Sequence, residues 1–171
     1  LKSNFESFGI PKVNTDAFLL AKITDWEDMN LLHAKANIYF NNTYVGETYL
    51  NPNVLTDTLQ ISLAREKGIV TSRKKVSDDD KKYASGKKVS REITIELVVK
   101  NNKNEIVNMQ LKDQIPISKQ KGVTVKSIDL DHAELDETTG LLTWNLQLKP
   151  NETKIISFTY KVEYNKDMDV L

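Results

Sequence analysis

Residues 89–164 place apolar side chains at every second position through run after run, and this two-residue period limits the folds open to the chain. Successive side chains of a strand point to opposite faces, so Ile93, Ile95, Leu97 and Val99 share one face while Thr94, Glu96 and Lys100 share the other. The same pattern returns as Val107, Met109 and Leu111 against Asn108, Gln110 and Lys112. It recurs as Leu142, Trp144, Leu146 and Leu148, and again as Ile156, Phe158, Tyr160, Val162 and Tyr164. Between the first two runs lies Asn101-Asn102-Lys103-Asn104; between the last two lies Pro150-Asn151. Asparagine tolerates the left-handed backbone of tight reversals and proline sets the first corner of a turn, so each pair of runs is expected to close as a hairpin. The fold class expected is all-β with very little helix, as a sandwich whose core holds Ile93, Ile95, Leu97, Val99, Leu142, Trp144, Leu146, Phe158 and Tyr160.

Size and charge remove several functional classes. A chain of 171 residues can bury a core without cross-links, and having no cysteine it makes neither disulfides nor thiolate chemistry. Twenty-four basic residues balance twenty-four acidic ones and the signs are interleaved, so no basic stripe for a phosphate backbone is present and nucleic acid is not the expected partner. Apolar runs such as Ala17 to Ala21 are far shorter than the roughly 20 residues a membrane-spanning helix needs. No positively charged segment followed by an apolar one opens the chain, and the first residue is Leu1 rather than Met, so a piece of a longer or processed polypeptide is expected.

Two segments are expected. Residues 1–80 hold candidate strands at Phe5–Val13, Phe18–Thr24, Ala36–Phe40, Tyr44–Leu50, Thr58–Ala64 and Ile69–Val76, with Asn41-Asn42 closing a hairpin. Trp26–Leu32 is the stretch that could hold a helical turn, but it is too short to stand as an independent helix and is expected to be a loop wrapping one end of a sheet. Residues 77–87, with Asp78-Asp79-Asp80-Lys81-Lys82 followed by Ser85-Gly86-Lys87, read as a polar linker to a second segment, 86–165. Arg73, Lys74 and Lys75 read as charges that shield the edge of the sixth strand.

Several sequence blocks together resemble known proteins. Val98-Val99-Lys100-Asn101-Asn102, Leu111-Lys112-Asp113-Gln114-Ile115-Pro116, Gly140-Leu141-Leu142-Thr143-Trp144 and Leu148-Lys149-Pro150-Asn151-Glu152-Thr153 look like the immunoglobulin-like sandwiches of bacterial surface proteins. With Ala36-Asn37-Ile38-Tyr39-Phe40-Asn41-Asn42-Thr43-Tyr44-Val45-Gly46 and Ser62-Leu63-Ala64-Arg65-Glu66-Lys67-Gly68-Ile69, the chain resembles the C-terminal domain of the mucoidy inhibitor A family over nearly its full length. The resemblance implies an immunoglobulin-like architecture in a bacterial envelope protein, periplasmic or surface-exposed, whose N-terminal part carries a signal peptide, a small domain and a coiled coil. It implies no reaction and transfers no site residue. His33 departs from the pattern, standing where a proline or small residue is expected before the turn into Ala36.

Residues of chemical interest are few. Asp129, Asp131, His132, Glu134 and Asp136 form an acidic cluster, but a calcium loop starting at Asp129 would need Gly where Glu134 stands and a bidentate Glu where Gly140 stands. Both this cluster and Asp78–Asp80 are therefore read as solvated, with a weak cation site the alternative at each. His33 and His132 are the two histidines, and no serine lies in the Gly-x-Ser-x-Gly setting of a nucleophile elbow. No cofactor is expected. Trp26, Tyr39 and Tyr49 are the candidate ligand-binding residues, since the two tyrosines fall in the register opposite Ile38, Phe40 and Leu50. The function expected is a non-catalytic interaction or scaffolding module that docks a protein partner or other domains. The alternative is a carbohydrate-binding module taking a glycan on those aromatics; a hydrolase comes third.

Overall fold

A computed structural model of the protein describes residues 2–24, 32–40, 42–51, 58–81 and 88–165. The described residues form eleven strands and no helix: β1 Lys2–Ile10, β2 Asn14–Thr24, β3 Ala34–Phe40, β4 Thr43–Leu50, β5 Leu59–Lys81, β6 Lys88–Asn101, β7 Val107–Gln114, β8 Val123–Asp129, β9 Glu134–Asp136, β10 Leu141–Leu148 and β11 Thr153–Asn165. Nine of them make one mixed sheet in the order β8-β11-β6-β5-β2-β1-β7-β10-β9, and β3 and β4 make a separate hairpin. The pairs are antiparallel except β1 with β7, which run parallel through Ser7, Phe8 and Gly9.

This sheet curls until its two ends face each other. Trp144 on β10 and Phe158 on β11 have ring centroids 5.7 Å apart although their strands lie at opposite ends of the sheet order. The alternating residues of β6, β7, β10 and β11 therefore bury into one cluster, including Ile95, Leu97, Val99, Met109, Leu111, Leu142, Leu146, Leu148 and Ile156, with Ile93 and Tyr160 packed at its margin. Burying each such side chain is worth about 1.5–3 kcal/mol, which makes this face-to-face contact the main apolar contribution to stability.

Both hairpins expected in residues 89–164 are corrected by the pairing. β6 pairs with β5 and β11, β7 with β1 and β10, and the Asn101–Ile106 connection crosses from one layer to the other. Likewise β10 and β11 are joined across the sandwich by Pro150-Asn151. Alternation declares which face of a strand is buried, and two strands facing one core from opposite layers show the same alternation as two neighbours.

Asn101 holds the first crossing. Its side chain is fully buried, its Nδ2 donates to the carbonyls of Glu105 (2.9 Å), Lys149 (2.9 Å) and Leu148 (3.4 Å), and its Oδ1 accepts from the Lys103 N–H (2.9 Å). The second crossing is tied to it: the Asn101 N–H donates to the Glu152 carbonyl, and the Asn151 N–H donates to the Lys103 carbonyl. Asn42 and Asn151 take φ near +60°, as expected of turn asparagines.

The stretches expected as two strands, Thr58–Ala64 and Ile69–Val76, are one strand, β5. Its pairing with β2 is interrupted where residues 66–69 stand opposite Ala17. β5 continues through residues 77–81, the start of the expected linker, which pair with Ser90 to Thr94 of β6; residues 82–87 lie outside the described residues. Being flanked by β2 and β6, β5 is not an edge to be shielded. Arg73 instead faces the core, and its Nε donates at 2.8 Å to the fully buried carboxylate of Asp113 on β7. Apolar content marks such a strand weakly, because beside buried Ile69 its core-facing positions are the buried Thr71 and the half-buried Arg73, both polar and satisfied across the sandwich, Thr71 Oγ1 by the Thr15 carbonyl.

Candidate functional site

The β3–β4 hairpin closes at the Phe40–Thr43 pair, with Asn42 in its turn, and packs beside β5. Ala36, Ile38, Gly46 and Thr48 share one half-buried face. The opposite face is exposed and carries Lys35 paired with Tyr49, Asn37 with Glu47, and Tyr39 with Tyr44. The three tyrosines are 66%, 51% and 78% exposed for Tyr39, Tyr44 and Tyr49. Tyr39 and Tyr44 meet edge to face, centroids 5.6 Å apart at 65°, and Lys35 forms an ion pair with Glu47 between them and Tyr49.

Of the residues singled out in the sequence, Tyr39 and Tyr49 are thus brought onto one exposed face, and Trp26 lies outside the described residues. Tyr44 was missed for a physical reason. Tyr44 and Tyr49 are five apart, so strict alternation assigns them to opposite faces. A bulge between Ile38 and Tyr39, opposed by Val45, adds one residue and restores Tyr44 to the face of Tyr49. Gly46 follows at φ +152°, a conformation open to glycine. That glycine, one residue past an aromatic-rich run, was the signal available in the sequence. The Tyr44 phenol is held above its ordinary pKa, first by partial desolvation and then by the neighbouring Glu47 carboxylate and Tyr39.

Elsewhere the polar clusters serve the fold. The Asp129–Asp136 segment runs from the end of β8 through a turn, in which Asp131 and His132 adopt positive φ, into β9, and Asp129 accepts the Asp131 N–H. The carbonyls of Leu130 and Asp131 accept the indole N–H of Trp144 at 3.1 and 3.0 Å, so this turn seats the buried tryptophan, which is 4% exposed. Asp136 accepts from Thr139 Oγ1 and from the Thr138 N–H, which hold its carboxyl below the usual range. Among the described residues no group of three or more His, Asp or Glu side chains is disposed to hold a metal ion. His33 and His132 are both exposed. No helix of the described residues is long and apolar enough to cross a membrane.

Fold and site together define an all-β sandwich domain that carries an accessory hairpin with an exposed aromatic face. The chain belongs to the family described as a domain of unknown function (DUF4139), which matches residues 24–166. It is also similar to Protein F37C4.5 of Caenorhabditis elegans, 22% identical over 177 residues that take in 96% of this chain and 32% of that protein. The chain therefore spans about a third of the length of the curated relative it matches.

Proposed function

We propose that the domain, which resembles the C-terminal domain of mucoidy inhibitor A proteins, is a non-catalytic interaction module working in the bacterial envelope to dock a protein partner or to position the other domains of its own polypeptide. The exposed face of the β3–β4 hairpin carries this reading. Tyrosines bring large contact area at small entropic cost, and an ion pair set among them adds charge complementarity that fixes orientation. A monomeric surface without a partner has little use for three clustered aromatic rings, each more than half exposed.

The test is site-specific photo-crosslinking in the full-length protein, within its own cells, from a benzophenone side chain replacing Tyr49 or, as control, Val13, which is also exposed. A defined adduct from position 49 and none from position 13 is expected. Equal labelling from both, or turnover of glycosides, esters or peptides by the purified domain that one carboxylate substitution abolishes, would overturn the proposal. A second reading is favoured by Asn37 lying among the tyrosines, since amides and aromatic rings together are the groups that grip sugars: the face takes a glycan. Glycan arrays on which the wild-type domain stays blank would end it.

A further inference from the structure

The two ends of the nine-stranded sheet, β8 and β9, come to lie on the same side of the sandwich without pairing to each other. Among the described residues β8 pairs with β11 and β9 with β10, so each strand has one edge of backbone N–H and C=O groups without a strand neighbour. The two edges are unequal, seven residues in β8 and three in β9. The layer that holds β9 therefore stops short, and the core-facing side of β8 is only partly covered. Val123, Val125 and Ser127 stand opposite Tyr164, Val162 and Tyr160 of β11 and share their inward face. Yet Val162 is buried, while Val123 and Val125 are half-buried.

The space this leaves is a cleft of about 560 Å³ walled by Ile115, Ile117, Val123, Val125 and Leu135. Its length runs along a strand edge, and these aliphatic side chains share its lining with Ser118, Thr124, Lys126, Ser127 and Glu137. Natural edges are blunted by lysine, proline, bulges or inward charge; β8 carries Lys126 on its outward face and a bulge at Ile128, while from Val123 to Ser127 its register with β11 is regular and its inward positions are uncharged. At one end of the cleft the connection that joins its two walls carries Lys119 and Lys121, both exposed. Lys126 adds a third ammonium on the outward face of β8, 3.5 Å from Glu163.

We infer that β8 is a receptor edge for an extended segment of another polypeptide, which adds as a tenth strand to the sheet. The segment lowers aliphatic side chains from alternate positions into the cleft and places an acidic residue against Lys119 and Lys121. Backbone hydrogen bonds along β8 give affinity; the cleft selects apolar residues with a two-residue spacing; the lysines set the direction in which the strand runs. This site is separate from the hairpin face, and its occupancy does not depend on that face being used.

The probe is a blocked heptapeptide alternating valine and threonine between terminal aspartates, offered to the purified chain and followed by amide hydrogen exchange. Exchange at residues 123–127 is expected to slow at least tenfold. A lysine-ended peptide should protect several-fold less, and a peptide with its valines made contiguous should not protect. Ile117→Glu, at a half-exposed wall position, should abolish protection with an unchanged melting temperature, and Lys121→Glu should reverse the preference between aspartate and lysine ends. The Tyr39→Ala/Tyr44→Ala/Tyr49→Ala variant should bind the peptide as the wild type does, which separates this site from the hairpin proposal. No protection at β8, equal protection by the contiguous-valine peptide, or concentration-dependent dimerisation that protects β8 without peptide would each overturn the inference.

Discussion

Replacing Asn101 by alanine probes the crossing between the layers at its most concentrated point. The amide lies fully buried and makes four hydrogen bonds, three as donor and one as acceptor, at 2.9, 2.9, 3.4 and 2.9 Å. Discounting the 3.4 Å contact leaves three good bonds, each worth a net ~1 kcal/mol, and alanine also strands buried carbonyls, so a loss of about 3–4 kcal/mol is expected. For a chain of this size that lowers the melting temperature by roughly 6–15 °C. Asn101→Asp should cost more, because a carboxylate would face the carbonyls of Glu105, Leu148 and Lys149 without a proton to give. Its folded-state pKa would be raised, so its deficit against wild type should grow as pH rises above the ordinary carboxylate range and shrink as pH falls. Urea denaturation followed by tryptophan fluorescence and far-ultraviolet circular dichroism, at pH 4.5 and pH 7.5, measures both effects. An Asn101→Ala cost below about 1 kcal/mol, with an unchanged urea slope, would refute the assignment of the two crossings to this amide.

Other outcomes follow from the same contacts. Trp144→Phe keeps the ring contact with Phe158 but deprives the Leu130 and Asp131 carbonyls of their donor; a loss of about 1–3 kcal/mol in chemical denaturation is expected, against about 3–5 kcal/mol for Trp144→Ala. Gly140 sits at φ +73° with the Ile115 carbonyl where a Cβ would project, so Gly140→Ala should leave little folded protein in soluble expression. Arg73→Met alone strands the buried Asp113 carboxylate and should cost about 2–4 kcal/mol, whereas adding Asp113→Leu should recover most of the loss; a double-mutant cycle that is additive would contradict the pairing. Thr139→Val removes the main hydrogen bond that lowers the Asp136 pKa, so its titration by carbon-detected NMR should move up. Because that pKa is depressed in the fold, the stability it contributes is present above the ordinary carboxylate pKa and is lost as pH falls through the lowered value.

The parts of the fold legible from the chain were those set by sidedness. Ile95, Leu97, Val99, Leu142, Trp144 and Leu146 bury where their two-residue period places them, and β3 pairs back on β4 as the expected hairpin. Pairing was not legible, because a strand across the core and a strand alongside carry the same pattern. The crossings at Asn101 and Pro150-Asn151 look locally like hairpin turns, and what distinguishes them is the buried amide of Asn101 reaching both loops. β5 was hidden for a different reason. Its core-facing Thr71 and Arg73 are polar, and their partners Thr15 and Asp113 lie 56 and 40 residues away in sequence, beyond any local window. At the hairpin face Tyr39 and Tyr49 were legible, and Tyr44 was concealed by a one-residue bulge that inverts alternation.

The curl that sets β6 and β11 against β7 and β10 underlies all of these expectations, and strand-to-strand nuclear Overhauser effects in a labelled sample test it most directly. The expected result is backbone contacts linking Ile95 to Phe158 and Met109 to Leu146, together with ring contacts between Trp144 and Phe158. Backbone contacts running along β6 and β7 as neighbours, with Val99 beside Val107, would contradict it.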